Sequence, residues 1–465
     1  MSNPTPTRKV YIETLGCQMN LNDSELMLGL LAPEGFEPTA DEKEADLLII
    51  NTCQIRGAAE DKAYSYLGVW QKRKRAKPNL KIAMAGCVAQ QAKDAVFKRM
   101  PDVDIVFGTQ NIQDLPRLVR EAMAGETHLL AADRQKDRVT FDYLEDVTPV
   151  RESEIAAWVT IIEGCDYFCT YCVVPYTRGR QISRSPASIV AEVEKLAQHG
   201  FKEITLLGQT VDSYGKDFEG ELAGYDLAKL LHELHDIEGI RRIRMMTSHP
   251  LDLSDAIIDA VATLPKVCEY IHIPMQAGDD EILARMRRGY TAEDYYRLVD
   301  KLYAKIPGLA VTGDYIVGFP GETDEQFQHT VDSVVRSGIH MANTAMYSPR
   351  QQTPAALWEL RGEEVPAEVK KQRLDILNAA IGEQSRRVNA ELLGEVVEVL
   401  VEGVSKRRDD RLTGRTRTNK VVNFTTSFSV DDLVGELVQV RITETLPFSL
   451  TGEQVVPAAL LAGLC

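Results

Sequence analysis

The chain has 465 residues, 44% of them hydrophobic and 26% charged, with a formal net charge of −16. That composition excludes wholesale disorder and divides naturally into about two to four domains. No apolar run approaches the roughly 20 residues of a membrane helix, and the first ten residues hold two prolines and no leader-like apolar segment, so a cytoplasmic protein without membrane contact is expected.

The first region, 8–125, alternates strand and helix patterns. Short apolar or β-branched runs at 10–16, 45–52 and 80–86 read as buried strands, with a fourth near 103–108 and helical segments at 24–31 and 58–75. Such alternation implies a parallel sheet. A cysteine follows each of the first three strands: Cys17, Cys53 and Cys87. Ligands gather beyond the carboxyl ends of parallel strands, so three thiols recurring there can converge on one site. The polar stretch 126–147 reads as a linker.

The second region, 148–382, has six candidate strands: 157–163, 203–208, 242–247, 270–276, 310–318 and 340–347. Amphipathic segments such as 188–198 and 324–337 separate them, which suits an open, partial (β/α)6 barrel. Functional residues of such barrels sit at the strand C-termini. The tight run Cys165-Asp-Tyr-Phe-Cys169-Thr-Tyr-Cys172 falls there, as do Gln209, Ser248-His249-Pro250 and Pro274-Met-Gln276. Soft thiolates select zinc or iron–sulfur. A closed zinc site would need a distant fourth ligand, whereas a three-cysteine [4Fe–4S] cluster leaves one iron open to a small molecule. Of the two remaining cysteines, Cys268 reads as a packing residue and Cys465 as a tail thiol.

After a helical segment at 366–393, the third region, 383–455, changes to short strands at 395–401, 420–424 and 437–442, with turns at Gly403, Gly414 and Gly435. This is the pattern of a small antiparallel β-barrel. Overall acidity argues against a nucleic-acid partner, but here the balance reverses. Lys406, Arg407, Arg408, Arg411, Arg415, Arg417 and Lys420 stand against Asp409 and Asp410, a net +5 in 17 residues. Such a patch suits a phosphate backbone, and the basic run 72–77 is a second candidate.

The run Gly164-Cys-Asp-Tyr-Phe-Cys-Thr-Tyr-Cys-Val-Val-Pro-Tyr-Thr-Arg-Gly179 resembles the cluster motif of the radical S-adenosylmethionine methylthiotransferases. Thr14-Leu-Gly-Cys-Gln-Met-Asn20, Asn51-Thr-Cys53 and Ala85-Gly-Cys87 resemble that family's N-terminal cluster motifs, and the C-terminal barrel resembles an RNA-binding TRAM domain. Gly16-Cys-Gln-Met-Asn20 and Gly414-Arg-Thr-Arg-Thr-Asn-Lys-Val-Val-Asn-Phe424 are most similar to the branch acting on N6-isopentenyladenosine beside the tRNA anticodon. The branches acting on threonylcarbamoyladenosine or on a ribosomal-protein aspartate are less similar. Gln181, Thr210 and Asp212 depart from the usual family residues, and none of them is expected to touch a cluster ligand.

The resemblance implies two [4Fe–4S] clusters and S-adenosylmethionine as cofactors. Cys165, Cys169 and Cys172 would hold the cluster whose open iron chelates S-adenosylmethionine, the source of a 5′-deoxyadenosyl radical. Cys17, Cys53 and Cys87 would hold the auxiliary cluster that carries the inserted sulfur, and a second S-adenosylmethionine would methylate it. Gln209 and Gln276 are candidate cofactor contacts. The partners implied are tRNA carrying N6-isopentenyladenosine, a one-electron reductant and a sulfur donor. The reading from a different class is a non-catalytic RNA-binding iron–sulfur protein, whose clusters would ordinarily be fully protein-ligated.

Overall fold

The computed structural model describes residues 8–54, 57–133, 147–406 and 408–456. The continuous run Leu-Leu-Ile-Ile-Asn-Thr is buried along its whole length as β3 (Leu47–Thr52), as expected of a central parallel strand covered on both faces. It lies between β1 (Arg8–Leu15) and β4 (Lys81–Ala85), with β2 (Phe36–Pro38), β5 (Ile105–Phe107) and β6 (Leu129–Ala131) completing a six-stranded sheet in the order β2-β1-β3-β4-β5-β6. All its pairs are parallel. The last strand, β6, lies inside the stretch that reads as a linker; residues 134–146 of that stretch are outside the described residues.

Register places the cysteines. Leu15 pairs with Thr52 and Asn51 with Ala85, and Thr52 bridges to Gly86. The strands therefore end level, and the next turns carry Cys17, Cys53 and Cys87 along one edge. Gly86 has φ of +89°, and a Cβ there would lie 2.5 Å from Asn51 Oδ1, so glycine is required for this close approach.

The central domain begins with β7 (Ala156–Thr160). A two-residue ribbon, β8 (Ile162–Glu163) with β9 (Ile182–Ser183), then closes the loop that bears Cys165, Cys169 and Cys172. β10 (Glu203–Leu207) pairs with β7 and with β11 (Arg242–Met246), and β12 (Tyr270–His272), β13 (Ala310–Val317) and β14 (Met341–Met346) form a second parallel set. The Cys268 N–H on Ile243 O and the Ser248 N–H on His272 O, both at 2.9 Å, join the two sets into one open arc. One continuous core of Ile, Leu, Val and Tyr residues lies between strands and helices. The 24-residue helix Ala367–Ala390 packs beside β14 through Ser385 Oγ on His340 O (2.8 Å) and Thr344 on Asn378 (2.6 Å).

The C-terminal strands close into a barrel in the order β15 (Val396–Ser405), β16 (Arg408–Thr416), β17 (Val421–Thr425), β19 (Leu450–Gln454), β18 (Leu437–Thr445). Four seams are antiparallel and the β17–β19 seam is parallel. Five strands cannot alternate direction around a closed ring, so one seam must be parallel. β16 coincides with the basic run, which carries a single large apolar residue, the buried Leu412. With so little hydrophobic alternation, that strand is invisible to patterning.

Candidate active site

The helix Gln18–Leu31 follows Cys17 directly and buries Asn20, Asn22, Asp23, Ser24 and Glu25. That is unusual for a helix packed on a sheet, whose buried stripe should be apolar. Each polar residue has a use; Ser24 Oγ, for one, accepts from Asn51 Nδ2 at 3.0 Å. Asn20 Nδ2 donates to Asn51 Oδ1 at 3.1 Å and Asn22 Nδ2 to Thr160 Oγ1 at 3.0 Å. Asp23 accepts from Arg178 Nη2 at 2.6 Å, and Glu25 pairs with Arg151 at 3.2 Å. Three of these four partners belong to the central domain, so the helix after the first cysteine is also the domain interface.

All seven described cysteines are free thiols; Cys465 lies outside the described residues. A hydrogen bond from Cys53, together with the charge of Arg178, holds the Cys17 thiol down to about 5 against burial. Burial pushes Cys87 up, opposed by Arg178 and by a hydrogen bond from Thr177. Thr177 and Arg178 stand within six residues of Cys172 in sequence. Their backbone is clamped from the first domain as well: Thr109 Oγ1 donates to Thr177 O at 2.9 Å and Gln110 Nε2 to Arg178 O at 2.8 Å. One short segment leaves the second thiol group and reaches the first.

In that second group, Cys165 and Cys169 are buried, and Gly164 at φ +74° lets Arg180 O approach to where a Cβ would be only 2.1 Å away. Burial raises the Cys165 thiol and pushes Cys172 up to about 12. Thr210 Oγ1 lies 3.6 Å from Cys165 Sγ. This corrects the expectation that no departure from the family pattern meets a cluster ligand: the turn after β10 passes directly over the cysteine loop. Arg288 Nη1 donates to Cys169 Sγ at 3.5 Å.

The donor chemistry fits iron–sulfur ligation at both places: two sets of three soft thiols at strand C-termini. Among the described residues, no three His, Cys, Asp or Glu side chains converge tightly enough to share one metal ion. A cubane is less demanding, because each thiolate binds a different iron. Beside the second group, Gln209 Oε1, Asp212 Oδ1 and His249 Nε2 are buried without a hydrogen-bond partner, although buried polar atoms are ordinarily satisfied. These orphaned atoms suit a polar ligand such as S-adenosylmethionine. Asp212 Oδ2 accepts the His249 backbone N–H at 2.8 Å, and the His249 ring stacks on Tyr167 at 3.9 Å between centroids. Gln276 is 9% exposed at φ +74°, on a strap tied to Arg288 by an Nη2 hydrogen bond to Pro274 O at 3.2 Å.

The basic residues of the barrel divide. Lys406 and Arg408 are exposed at the β15–β16 hairpin, Arg408 paired with exposed Asp410, and Arg411 Nε has no partner among the described residues. Arg407 is outside the described residues. Arg415 pairs with Glu402 at 3.0 Å. Arg417, by contrast, grips Glu269 at 2.7 and 2.8 Å and Val267 O at 2.7 Å. Lys420 donates to Asn389 at 2.7 Å. The carbonyls of Arg415 and Arg417 accept from Arg242 and Arg244. This end of the cluster docks the barrel on the central domain. The run 72–77 is also occupied: Arg73 pairs with Glu42, Lys74 with Asp104, Arg75 with Asp102 and Lys77 with Asp46.

Comparison with known proteins agrees with this division. Residues 9–108 match the Uncharacterized protein family UPF0004, 159–334 the Radical SAM superfamily and 390–455 the TRAM domain. The chain is 46% identical over 447 residues to a tRNA-2-methylthio-N(6)-dimethylallyladenosine synthase of Thermoanaerobacter pseudethanolicus (strain ATCC 33223 / 39E), covering 96% of this chain and 92% of that one. The chain belongs to the tRNA-2-methylthio-N(6)-dimethylallyladenosine synthase family. A synthase of the same name from Thermoanaerobacter sp. (strain X514) is similar to the same extent. Among solved structures, the radical S-adenosylmethionine methyltransferase TsrM from Kitasatospora setae shares the fold, with a TM-score of 0.54, 16% identity and 75% of each chain covered. Membership of the radical SAM superfamily implies a [4Fe–4S] cluster and S-adenosylmethionine.

Sequence reasoning did not find Asp23, Thr177, Arg178 or Arg288 as site residues. The run of buried polar residues after Cys17 was the available signal for the first of these. Nothing local marks Arg288.

Proposed function

We propose that this chain methylthiolates N6-isopentenyladenosine (dimethylallyladenosine) beside the tRNA anticodon, giving 2-methylthio-N6-isopentenyladenosine. In this reading Cys165, Cys169 and Cys172 hold the cluster that engages S-adenosylmethionine, and Cys17, Cys53 and Cys87 hold a second [4Fe–4S] cluster. The observation that carries it is the bond between Arg178 and Asp23, which puts the segment after one thiol group against the other. Two sites so joined can act on one substrate atom in succession.

Bound there, the clusters and S-adenosylmethionine supply one-electron chemistry and sulfur for an unactivated aromatic C–H, which no side-chain base removes at neutral pH. The chain's own contribution is placement. Three thiols per site leave a coordination position for a small molecule. The orphaned atoms of Gln209, Asp212 and His249 receive polar groups of S-adenosylmethionine, with Gln276 on the neighbouring strap. Lys406, Arg407, Arg408, Arg411 and Arg415 would supply phosphate contacts to tRNA, which hold it without reading sequence and leave an unpaired base free to reach the cysteine-bearing site. Arg417 and Lys420 keep the barrel in place. A one-electron reductant and a sulfur donor are the further partners, in the cytoplasm; no helix among the described residues is long and apolar enough to cross a membrane.

Mass analysis of tRNA nucleosides tests the reading. Cells lacking the chain should lose 2-methylthio-N6-isopentenyladenosine and accumulate N6-isopentenyladenosine. An unchanged nucleoside profile would overturn it.

A further inference from the structure

Arg288 is 5% exposed. Its Nε donates to Tyr290 Oη at 2.9 Å, its Nη2 to Pro274 O at 3.2 Å and its Nη1 to Cys169 Sγ at 3.5 Å. None of these acceptors is a carboxylate, and no carboxylate among the described residues pairs with it. The five other described arginines with 5% exposure or less are treated differently. Arg178 faces Asp23 and Glu163, Arg184 faces Glu192, Arg242 and Arg244 face Glu203, and Arg373 faces Glu322. A buried guanidinium without a carboxylate is costly, and the soft atom it touches is Cys169 Sγ.

We infer that Arg288 is a positioning residue whose missing counter-charge is the thiolate-ligated cluster on Cys165, Cys169 and Cys172, and that it makes this cluster easier to reduce. The inference rests on the assignment of those three ligands. Entry of one electron from an external low-potential donor makes the site more negative by one charge. A fixed cation in a low-dielectric surround favours that state, and hydrogen bonds to the sulfurs shift potentials in the same direction. The cation beside the auxiliary thiols, Arg178, differs in sharing its charge with two carboxylates, Asp23 and Glu163.

The test is a redox titration of the anaerobically reconstituted full chain, followed by electron paramagnetic resonance. The relevant signal is the one that disappears, with about four irons, in a Cys165→Ala, Cys169→Ala, Cys172→Ala variant; if that variant keeps all its iron, the ligand assignment fails, independently of Arg288. At the wild-type midpoint, R288Q should lower the ratio of reduced to oxidised cluster about tenfold or more, equivalent to about 59 mV for one electron. R288K, which keeps the charge, should restore most of it. Loss of this cluster from R288Q with retention in R288K also supports the inference, since charge separates the two variants. An unchanged midpoint in R288Q, an equal fall in R288K, or loss of the cluster from both overturns it.

Discussion

Arg178 donates from Nη2 to Asp23 Oδ2 at 2.6 Å across the boundary between the first and second domains. Both side chains are almost fully buried, and Glu163 lies 3.8 Å from the other guanidinium nitrogen. With Thr109 on Thr177 O and Gln110 on Arg178 O, this pair ties the segment after the second cysteine group to the first domain. Burial pushes the Asp23 carboxyl up to about 6, with Arg178 drawing it back.

Breaking such a pair from one side leaves a buried charge alone. Asp23→Asn and Arg178→Gln should each cost about 3–5 kcal/mol, seen as an earlier midpoint in chemical denaturation. The double variant should lose clearly less than the two single losses added together, because neither charge is then stranded. Additive losses would mean that the two residues act separately.

The two thiol groups should be separable. Reconstituted wild-type chain is expected to hold about eight irons, and replacing either cysteine triple by alanine should leave about four. With Cys17, Cys53 and Cys87 replaced, 5′-deoxyadenosine should still form while methylthiolation disappears. Loss of both activities would remove the division of labour.

The barrel's basic residues should fall into two phenotypes. Replacing Lys406, Arg408 and Arg411 by glutamine should weaken tRNA binding uniformly and reduce its salt slope by roughly one for each phosphate no longer neutralised. Arg417→Gln should leave that slope unchanged and instead loosen the barrel, read as faster proteolysis near residue 390, because it breaks the grip on Glu269 and Val267.

His340 provides a pH signature. Burial and the neighbouring charge of Lys420 lower it to about 3, against roughly 6.5 in an unfolded chain. Between those values the unfolded state binds more protons, so its contribution to stability is lost as pH falls through that window. His340→Asn should flatten the acid side of the stability profile relative to wild type. Parallel profiles would show that His340 titrates alike in both states.

Much of the architecture was legible locally. Buried strands such as β3 announce themselves by continuous apolar runs, and Cys17, Cys53, Cys87 and Cys165 each follow a strand within two residues because strand length and turn position are short-range properties. β16 and β19 were not legible: each carries a single large apolar residue, Leu412 and Leu450, so neither shows a strand period. The barrel's parallel seam follows from its strand count, which patterning had placed at three.

What the sequence determined by itself is the inventory: six thiols in two threes and a basic stretch in an acidic chain. What only the tertiary structure decided is which charges are free to act. Arg417 and Lys420 look the same in sequence as Arg408, yet they face Glu269 and Asn389. Arg178 meets an aspartate 155 residues away, while Arg288 meets a cysteine and, among the described residues, no acid. Charge compensation depends on which surfaces the domains bury against one another, and no local spacing records that.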